Sequence, residues 1–188
     1  MKKLLLIAVM VLTSAISFAQ QKVGSLTIQP KVGLNIASLT DLDDSDPRFG
    51  VVAGAEFMYK ATDMVGLSFG ALYSMQGAKS DKTTIKLDYI NIPVLANVYV
   101  APGFAVKLGL QPCFNVNSKA KAKSNGVAVE ADMDDVKTVD LSIPIGLSYE
   151  FNNFVIDGRY NWGVTKVAKD SDCKNSVFQI TLGYKLPL

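Results

Sequence analysis

With 19 basic and 17 acidic side chains in 188 residues, the chain carries no charge field that would recruit nucleic acid or another polyanion. It contains no histidine, which excludes the Ser-His-Asp arrangement, most zinc sites and the histidine-dependent enzymes built on barrels. No glycine-rich phosphate loop of Walker or Rossmann form occurs, so no enzymatic activity, catalytic residue, cofactor or metal is expected.

The first element is MKKLLLIAVMVLTSAISFAQ. Lys2 and Lys3 precede the apolar run Leu4 to Leu12, and Ser17 and Ala19 stand at −3 and −1 of a cut before Gln20. This reads as a secretory signal peptide over residues 1–19, leaving 20–188 as one domain. With Lys2 and Lys3 gone, 17 basic and 17 acidic residues remain and the mature chain is neutral. Export exposes Cys113 and Cys173 to oxidising conditions, so a bridge is open to them, but two cysteines make no disulfide framework.

The mature chain alternates with a period of two. Leu26, Ile28, Val32, Leu34 and Ile36 oppose Thr27, Gln29, Lys31 and Asn35. Phe49 to Tyr59 on odd positions oppose Gly50 to Lys60 on even ones. Val65 to Met75 oppose Gly66 to Gln76 in the same way. Successive strand residues point to opposite faces, so these are two-faced strands. The run Tyr89 to Val106 has no charge in eighteen positions, enough for a transmembrane helix by length alone. Its β-branched residues and the turn Ala101-Pro102-Gly103 read instead as a strand from Tyr89 to Val100 and the start of the next. Phe104 to Val116, Val139 to Phe151, Phe154 to Val164 and Phe178 to Leu186 complete the alternation.

The count is eight strands, each longer than the five or six residues usual in globular sheets. Ten residues at ~3.3 Å, tilted about 45°, cover roughly 24 Å, the height of the apolar band of a membrane barrel. Connectors alternate short (Ala61–Met64, Ala101–Gly103, Asn152–Asn153) and long (near 39–48, 77–87, 118–137 and 168–174). The expected fold is therefore an all-β, eight-stranded antiparallel up-and-down transmembrane β-barrel, with the short turns on the periplasmic side.

The polar face then lines the lumen. Lys31, Glu56, Lys107, Asp140, Glu150, Asp157 and Arg159 would sit there with Lys60 and Lys185. Eight strands leave an interior that side chains fill, and buried charges must pair. A salt-bridged plug is expected, with Arg159 and Lys107 against Glu56, Asp140 and Asp157; a narrow ion path is the competing reading. Pro93 and Pro144 also fall on this face, eight residues before Ala101 and Asn152. Proline lacks a ladder donor and a closed barrel has no edge to hide it, so a β-bulge or local bend is expected at each. In the third long loop, the basic arm from Lys119 and the acidic arm to Lys137 predict a projecting hairpin turning at Ser124-Asn125-Gly126. The first, DLDDSDPRF, lacks the glycine and closing glutamate of an EF-hand.

The leader ending SFAQ, the first strand KVGLNIASL, the motif Tyr89-x-x-Ile92-Pro93 and the closing strand ITLGYKL resemble the PorT-like outer-membrane β-barrel family, along the whole mature chain. The resemblance implies a barrel of OmpA/OmpX size in a Bacteroidetes-type envelope, and a founding member tied to protein secretion across the outer membrane. It brings no catalytic residues. The chain departs from many such barrels in ending Leu186-Pro187-Leu188 rather than in an aromatic residue.

The expected function is a non-enzymatic role in envelope structure, adhesion or secretion-accessory work in a Gram-negative outer membrane. The alternatives are a small passive channel and a soluble lipocalin-like lipid carrier. Expected partners are outer-membrane lipid and an extracellular or envelope protein met through the long loops, with no nucleic acid and a monomeric state.

Overall fold

A computed structural model describes residues 22–40, 46–80, 83–124, 127–133, 135–167 and 172–188. The expected signal peptide, the acidic residues Asp41 to Asp44 and the hairpin tip Asn125-Gly126 lie outside the described residues. Eleven strand segments succeed one another: β1 (Leu26–Leu39), β2 (Asp46–Lys60), β3 (Val65–Lys79), β4 (Thr83–Asn91), β5 (Val94–Ala101), β6 (Phe104–Ser124), β7 (Val127–Asp132), β8 (Val139–Phe151), β9 (Phe154–Gly163), β10 (Asn175–Tyr184) and β11 (Leu186–Pro187). All pairs are antiparallel. β4 and β5 are two halves of one stave between β3 and β6, β11 continues the last stave, and β7 pairs with β6 as a hairpin arm. The barrel is thus eight staves, closed where β10 pairs with β1 from Lys31↔Gly183 to Leu39↔Asn175.

The alternation sorts the side chains as the sequence expects. Outward residues such as Val32, Leu34, Phe69, Leu108 and Trp162 are each more than half exposed, while Gln29, Asn35, Asn97, Gln111, Asp157 and Gln179 are buried inside. A soluble lipid carrier needs the opposite arrangement, with its apolar face turned inward, and is excluded. Exposed aromatics collect at both ends, Tyr59, Phe151, Phe154 and Tyr184 by the short turns and Phe49, Phe114, Trp162 and Phe178 toward the other end. Such girdles sit at membrane–water interfaces.

Glycine is indispensable at the closing seam. A Cβ on Gly33 would lie 2.0 Å from the Ile180 carbonyl oxygen of β10. Gly33→Val is therefore expected to prevent closure, seen as loss of the compact, heat-modifiable band in unheated gel samples.

Of the bulge or local bend expected at Pro93 and Pro144, the bulge is corrected by the ladders, while regular pairing does break at both prolines, over Ile92-Pro93 between β4 and β5 and over two rungs of β6 with β8 at Pro144. β3 pairs Leu72↔Asn91 and then Phe69↔Val94, and β6 pairs Asn91↔Cys113 and then Val94↔Leu110, so no residue is inserted at Pro93. Pro144 pairs regularly with Asn161 on β9, and toward β6 the ladder skips two rungs without changing register. The missing N–H removes single hydrogen bonds only: the Pro93 carbonyl still accepts from Gly70 N at 3.2 Å, and Ile92 N donates to the Pro112 carbonyl at 2.8 Å. Glycine also stands opposite each ring, Gly70 at Pro93 and Gly109 at Pro144 by register. Register shifts occur elsewhere, between Pro47 and Val52, Asp88 and Tyr89, and Tyr99 and Ala101, near the two ends of the barrel. At the second, Tyr89 pairs with Asn115 but Asp88 with Asn117, leaving Val116 as the inserted residue where the sheet rises out of the barrel.

Candidate functional site: a closed lumen and a projecting sheet

The lumen charges divide into three levels. The middle one is the densest. Lys31 Nζ lies 2.6 Å from Glu56 Oε2 and 3.4 Å from Asp157 Oδ2; Arg159 reaches Glu56 Oε1 at 2.8 Å and Asp157 Oδ1 at 2.9 Å; Lys107 also pairs with Asp157. Strands from both halves of the chain supply inward positions at one height, which is why groups up to 126 residues apart in sequence meet. All five side chains are nearly or fully buried. Gly146 makes room for this level: a Cβ there would stand 2.7 Å from the Cβ of Arg159.

Glu150 belongs to a separate level beside the short turns. It accepts from Lys185 at 2.8 Å and from the Tyr99 hydroxyl at 2.7 Å, and Lys60 rests 3.1 Å from the Tyr99 ring centroid. Such a cation–π contact is favourable when partly desolvated.

Asp140 corrects a sequence expectation. It does not meet Arg159 or Lys107. It lies toward the opposite end, where it accepts from Leu141 N at 2.8 Å, from Asn175 Nδ2 at 2.7 Å and from Thr165. Asn175 also donates to the Tyr89 hydroxyl at 3.1 Å. Above this level Leu39, Ala78, Leu87, Tyr89, Cys113 and Val167 form an apolar cluster, with Ile85, Val136 and Cys173 packed on it. Both cysteines therefore belong to one neighbourhood. The sequence carried a signal for this lid, since Leu87, Tyr89 and Cys113 are apolar residues with inward parity; the contribution of Val167, from a loop, had none.

Beyond the lid, the strands continue. β3 pairs with β4 out to Lys79↔Thr84, β4 with β6 out to Thr83↔Ala122, and β6 with β7 from Lys119↔Asp132 to Ser124↔Val127. Residues expected to be loop are thus sheet. The basic and acidic arms lie side by side as expected, yet the ion pair formed is Lys86 with Glu130, 2.8 Å across to β4. That hydrogen bond holds the exposed Glu130 carboxyl below its ordinary value. Among the described residues β7 has a strand partner on one side only, and Val129 is 62% exposed.

An apolar exterior with aromatic girdles, a charge-filled lumen and alternating short and long connections define an eight-stranded outer-membrane barrel. Residues 18–169 match the outer membrane protein β-barrel domain family, and the chain belongs to that family. Its place is the outer membrane of a Gram-negative bacterium. Among solved structures, Ail, the attachment invasion locus protein of Yersinia pestis, is similar at 18% identity and TM-score 0.55, over 88% of this chain and 100% of that one. Ail in complex with the heparin analogue sucrose octasulfate gives TM-score 0.56 at the same identity, over 88% and 100%. Neisserial surface protein A is similar at 18% identity and TM-score 0.54, over 86% and 97%. These likenesses concern the fold. No curated protein matches the sequence.

Proposed function

We propose that this barrel is a non-enzymatic, monomeric surface protein that holds a protein partner, extracellular or of the envelope, on its projecting sheet. The observation that carries the reading is the continuation of β3, β4, β6 and β7 past the lid into a paired sheet whose last strand, among the described residues, pairs on one side only. A strand with unpaired N–H and C=O groups is a template for a further strand. Similarity in fold to an attachment protein and a surface protein is consistent with adhesion, and the PorT-like motifs in the sequence keep a secretion-accessory role within the same reading.

The test replaces residues 119–132 by a two-residue turn. The shortened barrel is expected to insert normally and show heat-modifiable mobility. A photo-crosslinker at Val129 of the intact protein on whole cells should give a discrete protein adduct, and one at lipid-facing Leu34 should not. Identical adhesion and envelope phenotypes for the intact and shortened proteins, with no adduct, would defeat the proposal.

The channel reading meets two barriers in series, the ion cluster and the apolar lid. Planar-bilayer recordings of the purified protein are expected to show no steady open level; a reproducible unitary conductance would reinstate the pore.

A further inference from the structure

The middle level of the lumen is not neutral. It holds three cations, Lys31, Lys107 and Arg159, and two carboxylates, Glu56 and Asp157. Each is at most 4% exposed. The other buried or partly buried acids of the wall among the described residues are engaged elsewhere, Glu150 with Lys185, Asp140 with Asn175 and Thr165, and Asp88 with Asn117 and Arg48. One positive charge is left over inside the wall.

A second observation lies in the same shell. Nη1 of Arg159 has no hydrogen-bond partner, and neither do Nε2 of Gln179, Oγ1 of Thr181, Oγ of Ser148 and Nε2 of Gln29, all buried. Register places Gln179 opposite Arg159, Thr181 and Ser148 on the two sides of Asp157, and Gln29 opposite Glu56. Facing residues on one side of a sheet stand about 5 Å apart at Cβ, so these groups surround the ion cluster. Gln179 keeps its nitrogen free because its oxygen accepts from Asn161 Nδ2 at 3.4 Å. Water can occupy the donors, but water does not cancel the charge. Buried charges are stable when compensated and hydrogen-bonded.

We propose that this shell binds one small inorganic anion, chloride in ordinary surroundings, between Nη1 of Arg159 and Nε2 of Gln179. The anion brings the cluster to three positive and three negative charges and accepts from the orphaned donors. The site goes beyond the partner-binding role of the projecting sheet and does not depend on it.

The test uses the full barrel purified in detergent. Thermal unfolding is followed in sodium chloride, sodium bromide and sodium gluconate at equal ionic strength. The midpoint is expected to be higher in the halides, by about 5 °C near saturation. Crystals grown in bromide should show an anomalous peak within hydrogen-bond reach of Arg159 Nη1. Two variants separate site from surface. Gln179→Glu supplies a fixed carboxylate and should be as stable in gluconate as in chloride. Lys107→Met removes the excess cation and should also lose the halide response, while still giving the heat-modifiable band. Equal midpoints for the wild type in all three salts would overturn the proposal and point to Lys107 releasing its proton instead. Bromide only on the outer surface, or a full halide response retained by Lys107→Met, would overturn it equally.

Discussion

Asp157→Asn is expected to destabilise the folded barrel by roughly 3–5 kcal/mol, the range for removing one partner of a buried ion network. Asp157 is fully buried and touches three cations, Lys31, Lys107 and Arg159. Neutralising it leaves those three cations with Glu56 as their sole acid. The neighbours cannot retreat to water, because the lid closes one end and the wall closes the sides. Glu150→Gln is the contrast. Glu150 sits by the short turns with its side chain partly accessible, so its loss should be much smaller. Urea unfolding of the two variants in lipid vesicles provides the comparison. A loss below about 1 kcal/mol for Asp157→Asn would mean that water screens the cluster.

Leu108→Arg tests the other face of the same barrel wall. Leu108 is 55% exposed and points away from the lumen, one residue from the buried Lys107. It lies four residues past Phe104, where β6 begins, which places it deep in the apolar band. A cation on the lipid face near the bilayer midplane is expected to cost about 2–4 kcal/mol. Leu108→Ala should cost clearly less, because lipid fills the space. Equilibrium folding into vesicles distinguishes them. Equal effects would mean that position 108 faces something other than hydrocarbon. Adjacent residues thus have opposite tolerances: position 107 accommodates a cation and position 108 rejects one.

This contrast also explains what could be read from the chain alone. Lipid outside and a packed lumen inside impose the alternation at every residue, so the facing of Leu108, Lys107, Tyr89 and Pro93 was legible without coordinates. Height along the barrel was not. Whether Asp140 meets Arg159 depends on the stagger between β8 and β9, and no side-chain period encodes that. The charges of the middle level were legible as a set; the separation of Asp140 and Glu150 from it was not. The form of the break at the prolines, missing rungs and no inserted residue, was hidden for a related reason. A ladder tolerates one missing donor when glycine stands opposite, and which residue stands opposite is again a matter of register. The length of β6 was hidden because its outer end, Lys119 to Ser124, loses the strongly apolar face once it leaves the membrane.

The unbroken run of β6 has a consequence for the proposed partner at β7. Its 21 residues extend from the turn at Gly103 to Ser124 without interruption. A recognition element carried on a slack loop loses conformational entropy when it is captured, and that loss subtracts from affinity. Here the same strand that is locked into the barrel wall also sets the pitch of the projecting arm. If a partner docks on this sheet as proposed, the ordering of β6 is completed when the barrel closes, before binding. Complex formation at β7 would then have to overcome little beyond the ordering of the partner itself.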